Sequence, residues 1–188
     1  MNKKEYEIRW HGRGGQGAIT AAKIVAGVAF TAGYQGVAMI PTFGTERRGA
    51  PVFTSLKLSA TEIYDLSPIE TPDMVVVLDE RLIAEADVTA GIKPGGLVVI
   101  NTHRPPSDYA FADTTTAVAD ISEIAVRCGL PRGIVNSGII GAFARASGLL
   151  DIEELAAAVE KEFQGRKADR NAAATRMAYD HTQIGVPS

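Results

Sequence analysis

Residues Gly12-Arg13-Gly14-Gly15-Gln16-Gly17 set four glycines, an arginine and a glutamine side by side. Glycine takes positive φ readily and lets a ligand approach the backbone without meeting a Cβ. A strand-like run (6–11) precedes this stretch, and a helix-like run (18–31) follows it. A turn that opens a helix offers free N–H groups and a partial positive charge to an anion. The chemistry on offer is recognition of a phosphate or another negative group by the main chain. A second stretch, 41–51, holds Arg47 and Arg48 next to each other among glycines and prolines. A guanidinium presents a rigid fork to phosphate or carboxylate, and a charged hydrogen bond contributes roughly 1.5–3 kcal/mol. The plainer alternative is a solvated loop in which Glu46 pairs with one arginine, a contact worth little.

Gly12, Gly14 and Gly17 fit the spacing G-x-G-x-x-G between a strand and a helix, the pattern of a dinucleotide site. Such a site also needs an acid at the end of the second strand to hold a ribose hydroxyl. Here the second strand ends in Met39-Ile40-Pro41-Thr42, and the first acid is Glu46, 29 residues after Gly17. The ribose position is therefore unfilled, although an NAD or FAD site stays open, as does a tight turn that merely packs helix on sheet. His11 beside the turn and His103 near another strand end read as structural histidines before site residues, and His181 reads as a surface residue. No His, Asp, Glu or Cys trio has metal-ligand spacing.

The elements that position these residues follow from periodicity. Strands are predicted at 6–11, 36–40, 52–58, 73–79, 97–101 and 114–119, and 61–65 is expected to pair back on 52–58 as a hairpin. The run Asp73-Met74-Val75-Val76-Val77-Leu78-Asp79 is the clearest buried strand, with an acid at each end. Helices are predicted at 18–31, 80–89, 121–128, 135–146, 151–163 and 167–182, with Asp120 and Asp151 as N-terminal caps. Gly27 costs its helix about 1 kcal/mol relative to alanine, which calls for close contact with the sheet or a partner. Strands alternating with helices give an α/β fold, three-layer α/β/α, with a mostly parallel (mixed) Rossmann-like sheet. Loops after successive strands then emerge on one edge, so the glycine turn and the arginine loop should face each other.

The chain has 188 residues, 46% of them hydrophobic, which suits a single domain over 1–188. A formal net charge of −3 and the lack of a basic stripe argue against nucleic acid. The single cysteine, Cys128, excludes a disulfide within the chain and a cysteine-ligated cluster, and reads as a small buried residue near a helix end. The polar start and the glycines that break 24–40 point away from a signal peptide and a membrane span, and toward the cytoplasm.

The glycine stretch, the segment Pro41-Thr42-Phe43-Gly44-Thr45-Glu46-Arg47-Arg48-Gly49 and the 73–78 strand together resemble the gamma subunit, or the equivalent internal domain, of the thiamine-diphosphate-dependent 2-oxoacid:ferredoxin oxidoreductases, the pyruvate synthase family. Pro131-Arg132 and Asn136-Ser137-Gly138-Ile139-Ile140-Gly141-Ala142 match in style, so the likeness spans about 5–150. The resemblance implies CoA-dependent oxidative decarboxylation of a 2-oxoacid such as pyruvate. It places thiamine diphosphate and the iron–sulfur clusters in alpha, beta and delta-type partner subunits, which pass electrons to ferredoxin or another acceptor. It implies that this chain is not active alone and has no catalytic residue or metal of its own. Its part is a coenzyme A contact through Gly12, Arg13, Gly14, Gly15, Gln16, Gly17, Arg47 and Arg48, together with assembly of the complex, in which Asn136 is a further interface candidate. A free-standing dinucleotide-binding oxidoreductase and a purely structural assembly subunit remain the rival readings.

Overall fold

The computed structural model describes residues 5–42 and 49–185; Arg47 and Arg48 lie outside them. In chain order the elements are β1 (Glu5–Arg13), α1 (Ala18–Thr31), β2 (Gly36–Pro41), β3 (Pro51–Ser59), β4 (Met74–Val77), α2 (Leu82–Glu85), β5 (Gly96–Asn101), a 3-10 turn (Pro106–Asp108), β6 (Thr114–Ala119), α3 (Ile121–Arg127), α4 (Asn136–Ser147), α5 (Ile152–Glu162), α6 (Ala168–His181) and β7 (Gln183–Gly185). The strands form a mixed, mostly parallel sheet in the order β2-β3-β1-β4-β5-β6-β7. β3 runs antiparallel to both β1 and β2, and β7 runs antiparallel to β6.

Alternation along β1 sends Ile8 and Trp10 to one side of the sheet and Arg9 and His11 to the other. The first side is covered by α1, α3, α4, α5 and α6 and holds the main core, from Ile8 and Trp10 through Phe143 to Leu155. Helices α4 and α6 touch closely because residue 141 is glycine: a Cβ there would sit 1.9 Å from Thr175 O. Asp120 and Asp151 cap α3 and α5, accepting from the N–H of Glu123 at 2.8 Å and of Glu154 at 3.0 Å. The second outer layer is thin. A smaller cluster of Val75, Val77, Leu82, Val88, Val98, Ile100 and Val118 fills it. Irregular chain completes it, anchored where Asp65 receives Lys57 Nζ at 2.7 Å and Ser55 Oγ accepts Ile69 N–H at 3.1 Å.

Several sequence expectations change. Residues 61–65 form no strand, because β1 and β2 already occupy both edges of β3. The helix expected over 80–89 is reduced to Leu82–Glu85, since Ala86 turns extended. Strand β7, three residues long, is additional. Gly27 is exposed, and a Cβ added there would meet no atom of this chain within 4 Å, so packing on the sheet does not explain it. Cys128 ends α3 and is half-buried. No helix among the described residues is long and apolar enough to cross a membrane.

Candidate functional site

The chain leaves β1 through α1 to reach β2 on one side, then returns to β4 on the other side of β1. The strand order therefore reverses between β1 and β4. In open α/β sheets, ligands bind outside the carboxyl ends of strands at such a reversal. The glycine turn leaves β1 there, and a cleft of about 360 Å3 opens beside it, lined by Gln16, Asp79, Arg81, Thr102, His103 and Arg132 among others.

The turn is held by its own residues. Arg13 N–H donates to Gln16 Oε1 at 2.8 Å, and Gln16 Nε2 reaches Asp79 Oδ2 at 3.3 Å. Gly15 and Gly17 have φ of 93° and 79°, values that suit glycine. At Gly17 a Cβ would also lie 2.6 Å from Asn136 Nδ2, so α4 docks on the start of α1 through this position. Arg13 turns to the opposite side. Its Nε donates to Asp79 Oδ2 at 2.9 Å, its Nη2 to Glu85 Oε1 at 2.6 Å and its Nη1 to Gly49 O at 3.3 Å. These bonds, to Glu85 first and then Asp79, raise the Arg13 pKa.

Gly14 ties the turn to the foot of the arginine loop: its N–H donates to Ala50 O at 2.9 Å, and its carbonyl accepts Gly49 N–H at 3.1 Å. At the other foot, Thr42 N–H donates to Phe53 O at 3.2 Å. Thr42, Gly49 and Ala50, the described residues on either side of 43–48, thus lie at the rim where the turn leaves β1. The reason is antiparallel pairing: β3 starts where β1 ends, with Arg13 opposite Pro51. The sheet is mixed and mostly parallel, as expected, and β3 stands between β2 and β1.

Beyond the turn, the rim holds residues that the sequence did not single out for a site. Asp79 follows β4. The Arg81 guanidinium, with help from Arg13, holds its carboxyl well below the usual carboxylate range against the opposing effect of burial. Asn101, at the end of β5, donates to Leu78 O at 2.9 Å and accepts Ile121 N–H at 3.0 Å, which joins three strand ends. Glu80 accepts from Thr102 Oγ1 and from Tyr109 Oη, the latter at 2.9 Å. Arg81 and Arg132 keep most of their side chains in solvent, paired to Asp79 at 2.7 Å and Glu123 at 2.6 Å. The signal available for Asp79-Glu80-Arg81 was their place directly after a buried parallel strand. Among the described residues, no group of three or more His, Cys, Asp or Glu could hold a metal ion. The rim offers a cleft that carries both signs of charge, Asp79, Glu80 and Asp120 with Arg81 and Arg132, beside the main chain of the glycine turn.

Comparison with known proteins agrees with this architecture. The family model for pyruvate ferredoxin/flavodoxin oxidoreductase matches residues 7–181. The common gamma subunit of the pyruvate/ketoisovalerate oxidoreductases of Pyrococcus abyssi is 43% identical, covering 95% of this chain and 97% of that one. The gamma subunit of the NADH-dependent phenylglyoxylate dehydrogenase of Aromatoleum evansii is 40% identical, covering 95% of each. The crystal structure of the pyruvate oxidoreductase subunit PORC of Thermotoga maritima superposes with a TM-score of 0.82 at 33% identity, covering 98% of this chain and 100% of that one. This chain belongs to the pyruvate ferredoxin/flavodoxin oxidoreductase family, and within it is similar to the gamma subunits.

Proposed function

We propose that this chain is a cytoplasmic gamma-type subunit, a single domain over 1–188, of a 2-oxoacid:acceptor oxidoreductase that decarboxylates a 2-oxoacid such as pyruvate and passes the acyl group to coenzyme A. Alpha, beta and delta-type partners carry thiamine diphosphate and the iron–sulfur clusters and deliver electrons to ferredoxin or another acceptor. One cysteine in this chain cannot ligate such a cluster, which fits that division of labour. The chain's own part is to position coenzyme A at the rim and to help assemble the complex.

The observation that carries this reading is the pairing of Gly14 with Gly49 and Ala50 beside the cleft. It holds Gly49 and Ala50, which follow Arg47 and Arg48 in sequence, against the glycine turn, and on this reading the two arginines act with Arg81 and Arg132 of the cleft on phosphate. Phosphate groups suit such a set. Gly12, Gly14, Gly15 and Gly17 shape the platform, while Gln16 and Arg13 lock it. The topology gives a dinucleotide less support, because the strand next to β1 is β3, which begins rather than ends at this rim and brings Pro51 there.

Arg47→Ala and Arg48→Ala in the assembled enzyme test the reading. Each should raise KM for coenzyme A about tenfold or more, the worth of one charged hydrogen bond, with the subunit composition unchanged. An unchanged KM removes the phosphate contact. Loss of assembly would instead favour a purely structural subunit.

A further inference from the structure

The two edges of the sheet are finished differently. At one edge, β7 is three residues long and Pro106 lies against its Gly185. A short edge strand with chain laid over it is a common guard against further pairing. At the other edge, β2 is six residues long, and among the described residues no strand pairs with its outer side. Thr42 N–H donates to Phe53 O in β3, so by alternation Ala38 and Ile40 direct their main-chain groups to β3 and Val37 and Met39 direct theirs outward. The helical layer also stays open beside this edge. Helix α1 packs on β2 and β3. Ala26, Tyr34, Val37 and Met39 touch the main core but are only partly buried, and Phe30 is 66% exposed. Gly27, one turn before Phe30, has open space where a Cβ would stand, at a cost of about 1 kcal/mol to its helix.

We propose that this edge is where a second copy of the chain docks, β2 on β2, antiparallel about a two-fold axis that passes through Ala38 normal to the sheet. Val37 of each copy then faces Met39 of the other, and the outward N–H and C=O groups of both residues are satisfied. The same axis sets the two α1 helices side by side on one face of the joined sheet, with Phe30 and Gly27 in their contact. Charge argues for a second copy over a different partner. Residues 24–45 contain no Asp, Glu, Lys or Arg, so the later part of α1 and all of β2 are neutral. An identical surface opposes no like charges there, whereas a charged one would bury its ions unpaired. A two-fold interface needs a patch that fits itself, and here one helix turn supplies both bulk, at Phe30, and room, at Gly27. The rim cleft uses none of these residues, so the pairing rests on no part of the coenzyme A reading.

Sedimentation velocity on the full chain over a dilution series tests this. The mass should move between that of one chain and that of two, with a dissociation constant in the micromolar range. Hydrogen exchange reads the register: the Val37 and Met39 amides should be protected in the dimer and exchange faster on dilution, while the Ala38 and Ile40 amides, bonded to β3, keep their protection. Phe30→Glu changes a side chain that is mostly in solvent and sets like charges across the axis, so it should weaken the dimer at least about tenfold. Met39→Pro removes an outward N–H without breaking the β3 ladder and should do the same. If Met39→Pro does not fold, Phe30→Glu and the exchange pattern decide. A monomer at every concentration, a dimer whose Val37 and Met39 amides exchange as fast as in the monomer, or undiminished dimerisation in either folded variant overturns the pairing.

Discussion

The two faces of β1 do opposite jobs with alternating residues of one strand. Toward the helices, Ile8 and Trp10 are fully buried, and Trp10 lies 5.2 Å from Phe143 between ring centroids. Toward the thin layer, Arg9, His11 and Arg13 bring three basic side chains to a row that ends at the rim. The first face gains by excluding water from apolar surface. The second gives up that gain to hold groups whose bonds reach far along the chain: Arg9 to residues 88 and 90, and Arg13 to Asp79 and Glu85. The lesson is a division of labour within one strand: stability is vested in one face, and the tethering of distant segments and of the rim in the other.

The largest effect is expected on the packed face. Trp10→Ala should destabilise the chain by about 4 kcal/mol, the range for deleting a large buried aromatic, read as a shift in the urea midpoint. Trp10→Phe should cost much less, because Nε1 of Trp10 is buried without a partner and its loss leaves no bond broken. If the two substitutions cost the same, the indole's work is not packing and the contrast between the faces weakens.

The charged face should show itself through pH. Burial first, and the Arg9 charge second, lower the His11 pKa to about 4 from an unfolded value of 6.5. Between those values the unfolded chain binds a proton that the folded chain refuses, so stability falls as pH drops from 6.5 toward 4. The loss from this one group reaches about 3 kcal/mol. His11→Phe should abolish that share of the slope and leave the slope due to carboxylates such as Asp79, whose lowered pKa gives up stability only at lower pH. Parallel stability–pH curves for the two proteins would show that His11 is not buried as a neutral group.

The sequence disclosed the packed face more readily than the charged one, for a physical reason. Burial writes itself into local pattern: Met74-Val75-Val76-Val77 and the run 97–101 read as buried strands, and small residues along 18–31 read as a helix against a sheet. Pairing choices leave no such trace. That β3 inserts between β2 and β1 depends on contacts more than 40 residues apart in sequence, such as Glu5 with Ser59. The helix expected to reach 89 stops at Glu85, where Ala86 turns extended, and Arg9 donates to the carbonyls of Val88 and Ala90 beyond it, contacts that no local pattern reveals. At the rim the glycine turn was legible as a motif. Asp79 was visible only as an acid closing a strand, because its partner Arg13 lies 66 residues away. Arg9 and His11 alternate with Ile8 and Trp10 as ordinary polar residues of a half-exposed strand would, so nothing local marked them as buried.

The turn at the end of β1 faces both ways, and Gly17 allows the packed side to be probed at the rim itself. A side chain there meets two separate obstacles. Its φ of 79° is unfavourable for any residue with a Cβ, at a cost of about 1–2 kcal/mol. The added Cβ also comes within 2.6 Å of Asn136 Nδ2 and 3.0 Å of Asn136 Cβ. Gly17→Ala should therefore lose somewhat more stability than the backbone cost alone, and adding Asn136→Ala should recover the part due to the amide while leaving the part due to φ. The coupling between the two substitutions isolates the contact. Strict additivity would mean that α4 yields freely and that the start of α1 is held from the Arg13 side instead. A clear coupling would show that the rim is anchored on both faces of β1, by an ion-paired arginine on one and a close helix contact on the other.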